Sequence, residues 1–103
     1  MLRGTDLLVA VRSWISDRST EWMALSAVSE IEESPADRDP RSIRWILESS
    51  EMIGQVIVWE DGQAELDLVD VATGGVRSEH RHLDDDEDLG GVLGTVRDWV
   101  GKS

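Results

Sequence analysis

Residues 54–70 constrain the fold more than any other stretch. They read Gly-Gln-Val-Ile-Val-Trp-Glu-Asp-Gly-Gln-Ala-Glu-Leu-Asp-Leu-Val-Asp. Two strand-like runs flank Asp61-Gly62, a pair that favours a type I′ turn because Gly tolerates a positive φ and Asp accepts one. A two-residue loop sets the register. Trp59 is then expected opposite Ala64, Ile57 opposite Leu66, Val58 opposite Glu65, and Val56 opposite Asp67. Side chains alternate along a strand, so Ile57, Trp59, Ala64, Leu66 and Leu68 are expected to face the core, with Trp59 as an anchor. Glu60, Gln63, Glu65 and Asp67, with Val56 and Val58 beside them, are expected on the other side. The result is a half-buried antiparallel sheet with an acidic outer face.

The rest of the chain supplies partners for that hairpin. Leu7, Leu8, Val11, Trp14 and Ile15 recur at helical spacing and predict an amphipathic helix over residues 5–20, capped by Thr5 or Asp6. Residues 21–25 are able to extend it. Residues 27–33 read as an acidic edge strand, with a helical turn as the other reading of residues 26–33. Residues 35–42 contain both prolines and are expected to be a loop. Ile43, Trp45 and Leu47 alternate with Arg44, Ile46 and Glu48, which predicts a strand with the first set inward. A turn at Ser50-Glu51 links it to the hairpin.

A second tight turn at Thr73-Gly74 returns the chain as a charged edge strand over residues 76–82. If that turn has two residues, Asp67 faces His80 and Glu65 faces His82. Asp84-Asp85-Asp86-Glu87-Asp88 then opens a last helix, because acids are favoured at the unpaired amides of a helix start. Leu89, Val92, Leu93, Val96, Trp99 and Val100 form its core stripe. Gly90, Gly91 and Gly94 within it are expected to allow close approach to the sheet or to the first helix. The predicted fold class is α+β: a small antiparallel meander of four to five strands, with N-terminal and C-terminal helices packed on one face. Residues 1–103 are expected to form one domain.

The formal net charge is -12, from 22 acidic against 10 basic residues. Such a charge disfavours nucleic acid and anionic membrane and favours a basic partner, although it also serves solubility alone. No apolar run approaches the roughly 20 residues of a membrane span. The first helix lacks the Lys/Arg-rich polar face of a membrane-surface helix. There is no Cys, hence neither disulfide nor thiolate metal site. Met1 is followed by no basic-then-apolar run, so a cytoplasmic location is expected.

The residues offer no catalytic signature. Asp84, Asp86 and Asp88 have the spacing of a calcium loop, but Leu89 stands where Gly is needed and Thr95 where Glu is needed. No phosphate-binding Gly-rich loop and no nucleophile elbow occurs. Paired carboxylates are expected on an open face, without the cleft that general acid–base work requires. No cofactor and no metal is expected. Two histidines beside two carboxylates are a zinc-compatible set, but flat cross-strand pairs splay outward, so simple pairing is the expectation.

The stretch Val58-Trp59-Glu60-Asp61-Gly62-Gln63-Ala64-Glu65-Leu66 resembles the TriTu-type immunity proteins. So do Asp70-Val71-Ala72-Thr73-Gly74 and Glu32-Glu33-Ser34-Pro35, and the likeness runs from Trp14 to Trp99. The resemblance implies a small non-catalytic cytoplasmic antidote. It implies a cognate protein toxin as partner, an ADP-ribosyltransferase acting on elongation factor Tu. An acidic face suits such a role, because charge speeds encounter with a basic partner. The expected partner-binding residues are Glu48, Glu60, Glu65, Asp67, His80, His82, Asp84, Asp85 and Asp86, meeting a toxin that is basic near its active site. An acidic adaptor or secretion-associated chaperone is the alternative that the same charge allows. A metal-dependent enzyme using His80 and His82 is a third.

Overall fold

A computed structural model describes residues 5–35 and 37–102, and of Thr5 and Asp6 the backbone alone. The cap expected at Thr5 or Asp6 therefore lies outside the described residues. The order is α1 (Thr5–Asp17), α2 (Ser19–Ala24), β1 (Val28–Glu33), β2 (Ser42–Glu48), β3 (Met52–Trp59), β4 (Gln63–Asp70), β5 (Gly75–His82) and α3 (Asp86–Val100). The strands form one antiparallel meander in the order β1-β2-β3-β4-β5, and the fold is α+β. Residues 28–33 are an edge strand.

The predicted first helix breaks at Arg18. Its guanidinium turns back to donate to the Trp14 carbonyl at 3.0 Å and lies 4.0 Å over the Trp14 ring. The break lets α2 swing Trp22 into the core. There Trp14, Trp22 and Trp45 form a triangle with ring centroids 5.1 to 6.0 Å apart. Trp22 Nε1 donates to the Ile15 carbonyl and Trp45 Nε1 to Ser29 Oγ, so two of these rings bury their bulk without orphaning their N–H. With no Phe or Tyr in the chain, this cluster carries the aromatic packing of the core.

The core lies between the helices and one side of the sheet. Ile43, Trp45 and Leu47 of β2, Val56 and Val58 of β3, and Ala64, Leu66 and Leu68 of β4 are buried there, under the stripes of α1 and α3. Gly54 is the point of closest approach. A Cβ on it would stand 2.7 Å from Val96 Cγ1 of α3. The glycines of α3 do not have the role expected of them. A Cβ at Gly90 would meet only Trp14 Nε1 at 4.0 Å, one at Gly91 nothing within 4 Å, and one at Gly94 only the Arg97 guanidinium. The acids at the start of α3 do act as caps. Asp85 accepts from the Asp88 N–H at 2.9 Å, and Asp88 in turn accepts from the Asp84 N–H at 3.0 Å.

The central hairpin departs from its predicted register by one residue. Val58 pairs with Ala64, Val56 with Leu66, and Ile57 with Glu65. The loop is residues 60–62, not Asp61-Gly62 alone. The Gly62 N–H donates to the Trp59 carbonyl at 2.9 Å, and Gly62 takes φ +95°. This is the three-residue connection in which a left-handed residue follows a turn. Each residue of β3 thereby changes side. Val56 and Val58 face the core, and Ile57 and Trp59 face outward. The expected core anchor Trp59 is half-buried on the open side. The faces of β4 are as predicted.

The β4–β5 connection is longer too. Residues 71–74 separate the strands, closed by the Gly74 N–H donating to the Asp70 carbonyl at 2.8 Å. The shift there is two residues, so β5 keeps its predicted face but changes its partners. Glu65 faces His80, Asp67 faces Ser78, and Gln63 faces His82.

Candidate interaction surface

Cross-strand partners share a face, so the open side can be read row by row. One row is Val28, Glu48, Ile53, Val69 and Val76; the next is Glu30, Ile46, Gln55, Asp67 and Ser78. A third is Glu32, Arg44, Ile57, Glu65 and His80, and Ser42 with Trp59 begins a fourth. The face is therefore not simply acidic. Ile46, Ile53, Ile57 and Trp59 make a half-buried apolar strip along β2 and β3. Carboxylates flank it, with Glu30, Glu32 and Glu48 on one side and Glu65 and Asp67 on the other. Val28 and Val76 are 60% and 67% exposed at its two edges. An apolar centre within a polar rim is also how protein–protein interfaces are composed, which makes this face the candidate.

The expected partner-binding residues divide into three groups. Glu65, Asp67 and His80 stand together on β4 and β5. His80 Nδ1 lies 4.0 Å from Glu65 Oε1, while Asp67 accepts from Ser78 Oγ at 2.7 Å and from Gln55 Nε2 at 3.3 Å. His82 adjoins them but pairs with Asp84, at 3.1 Å, instead of Glu65. Asp84 reaches this place because the Leu83 N–H donates to the Gly62 carbonyl at 2.7 Å, which ties the end of β5 to the hairpin turn. Asp85 and Asp86 follow in the cap and first turn of α3. Glu48 shares the open face but sits in the far row, beyond the apolar strip.

Glu60 leaves the face altogether. Its carboxylate accepts the Arg41 N–H at 3.1 Å, and its own N–H donates to the Arg41 carbonyl at 2.9 Å, so it fastens the proline loop to the turn. Among the described residues no three His, Asp or Glu side chains converge as a metal site would require.

Sequence reasoning missed Trp59, Ile57 and Ile53 as surface residues. The signal that finds them is the other turn. Ser50-Glu51 is a two-residue connection, as predicted, and it pairs Trp45 with Val56 and Ile43 with Val58. Since Ile43 and Trp45 point inward, their partners must do so too.

Around the turn lies a cleft of about 230 Å³ lined by Pro40, Trp59, Asp61, Gln63, Glu65 and His80. On the helix side of β5 the side chains are polar instead. Glu79 receives hydrogen bonds from Arg81 and an ion pair from Arg77 at 3.2 Å. The Arg81 hydrogen bond holds the Glu79 carboxyl below the usual glutamate range; slight desolvation opposes it, and the charges of Arg81 and Arg77 reinforce it.

No described helix is long and apolar enough to cross a membrane. No curated protein matches the chain at a significant level. A family model described as immunity protein TriTu matches residues 9–99, which covers α2, all five strands and most of α1 and α3. The chain belongs to the TriTu immunity protein family.

Proposed function

We propose that this immunity protein neutralises an ADP-ribosyltransferase toxin by laying the open face of its sheet over the toxin's active site. The observation that carries this reading is the uncovered face itself, where an apolar strip runs between carboxylates on a scaffold whose other side is covered by helices over β2, β3 and β4. The apolar strip supplies area to exclude water, and the acids supply orientation. With a net charge of -12, encounter with a toxin that is basic near its active site is steered over a Debye length of about 10 Å at moderate salt. Glu48, Glu65, Asp67, His80, His82 and Asp84 to Asp86 are the contact residues, with Glu60 acting indirectly by holding the turn. Inhibition by occlusion needs no chemistry from the antidote, and the expected place of action is the cytoplasm.

The test is a transferase assay. The purified toxin domain is given NAD and elongation factor Tu, with increasing amounts of this protein. Inhibition should be complete at one equivalent, and association should slow as salt rises. Tight binding without loss of transfer would return the acidic-adaptor reading. Inhibition that is equally fast at low and high salt would remove charge steering from the account.

A further inference from the structure

Trp59 is set apart from the other four tryptophans. Trp14, Trp22 and Trp45 pack on one another, and Trp99 Nε1 donates to the Val69 carbonyl with Lys102 Nζ 5.0 Å from its ring centroid. The Trp59 side chain makes no hydrogen bond, ring contact or cation contact with any described residue. It stands half-buried at the head of the apolar strip, in the cleft whose rim carries the carboxylates of Asp61 and Glu65. Asp61 Oδ1 is partly engaged by the Gln63 N–H at 3.1 Å, and Glu65 keeps 56% of its side chain exposed. An aromatic face between carboxylates attracts a cation twice, through the ring quadrupole and through charge-assisted hydrogen bonds.

We infer that this cleft takes an arginine side chain from the toxin, its guanidinium stacked on Trp59 and bonded to Glu65 and Asp61. This rests on the toxin-binding reading above and names the chemistry by which it is met. The choice of arginine over lysine follows from shape. A planar guanidinium covers a flat indole and still presents N–H groups at its edge to both carboxylates, whereas an ammonium offers a point charge. The chain contains the same stacking at the end of α1, where the guanidinium of Arg18 in the break lies 4.0 Å over Trp14. Charge complementarity chooses the occupant. The rim is acidic, the net charge is -12, and Arg44, the guanidinium of this face, is already paired with Glu32 at 3.2 Å.

Two measurements test the cleft separately from the toxin reading. In the first, acetyl-Gly-Arg-Gly-amide is titrated into the protein while the Trp59 indole N–H resonance is followed. A saturating shift in the millimolar range is expected, at least threefold weaker with the Lys peptide and absent with the Gln peptide. Glu65→Gln and Asp61→Asn, both at exposed positions, should each weaken it several-fold. Equal shifts with the Arg and Gln peptides, or no saturable shift, overturn the assignment even if the protein inhibits a toxin. In the second, Trp59→Ala should lose at least tenfold in inhibition of the toxin domain, with only a small shift in the urea midpoint, and Trp59→Phe should recover most of it. Full inhibition by Trp59→Ala overturns the cleft as a contact while leaving occlusion of the toxin standing. A dimer of the parent chain that Trp59→Ala dissociates would give the cleft to a second copy and likewise overturn the proposal.

Discussion

On the helix side of β3, Gly54, Val56 and Val58 are sealed under α3. One residue along, on the open side, Ile53, Ile57 and Trp59 stay half-buried among carboxylates. The two faces come from one strand of almost uniform apolar character, so hydrophobicity alone does not separate them. Shape does. The helix side accepts Gly54 because Val96 leaves no room for a Cβ there, and it accepts two β-branched valines, Val56 between Trp45 and Leu66 and Val58 between Ile43 and Ala64. The open side holds the large indole of Trp59, half-buried. A strand can thus be apolar on both sides, packed under helices on one and left among carboxylates on the other.

The sharpest way to break this comparison is to exchange the roles of two tryptophans. Trp45 is fully buried beside Trp14 and Trp22, and its loss leaves a cavity together with an unpartnered Ser29 hydroxyl. Trp45→Ala should cost about 3–5 kcal/mol in urea unfolding, a large part of what holds a domain of this size. Trp59→Ala should cost less than about 1 kcal/mol, as expected of a side chain outside the core. Equal losses from the two would mean that the open face is covered in solution and that the strip is structural.

A smaller effect tests the seam itself. Gly54→Ala places a methyl group 2.7 Å from Val96 Cγ1, and Val96 is stiff about χ1 and sits on a helix pinned by five other buried positions. The helix must lift or the strand must bend, at about 1–3 kcal/mol. The double variant Gly54→Ala with Val96→Ala should recover part of that loss by removing the clashing Cγ1, and only part because two methyl groups leave for the one added. A Gly54→Ala protein as stable as the parent would show that α3 does not approach β3 as closely as described.

Much of this fold was legible in the sequence for simple physical reasons. The stripes of α1 and α3, the inward set of β2, and the acid cap at Asp85 each rest on local periodicity or local hydrogen bonding, which tertiary context did not override. The register of the central hairpin was not local in that way. Asp61-Gly62 is compatible with a two-residue turn and with the three-residue turn in which Gly62 alone goes left-handed, and the two differ by one residue. Because β3 is apolar at Val56, Ile57, Val58 and Trp59 alike, its alternation carried no vote. The candidate site followed the same division. The face of Glu65 and Asp67 was legible because β4 alternates cleanly, and that of His80 because the β5 register moved by two residues, an even number, whereas Trp59 was assigned to the core because its strand does not alternate.

The least effect belongs to β5, and it marks where the two-sided description ends. Arg77, Glu79 and Arg81 lie on the helix side of the sheet, opposite Leu68, Leu66 and Ala64, yet no core forms over them. The ladder of Arg77 and Arg81 on Glu79 stands in for a helix, satisfying polar groups at the edge and leaving a charged border that discourages pairing with another chain. Glu79 binds its proton less readily in the folded chain than in the unfolded one, because the Arg81 hydrogen bond favours the ionised form. Its contribution to stability is therefore present above the ordinary glutamate range and is lost as pH falls through the depressed value. Since the pair is exposed, screening keeps that contribution small. A carboxyl-carbon NMR titration should find Glu79 among the last glutamates to protonate as pH is lowered. Arg81→Gln should move it back toward the others, while the urea midpoint at neutral pH hardly changes. If Glu79 already titrates with the rest in the parent protein, the ladder does not persist in solution, and the helix side of β5 is simply solvated.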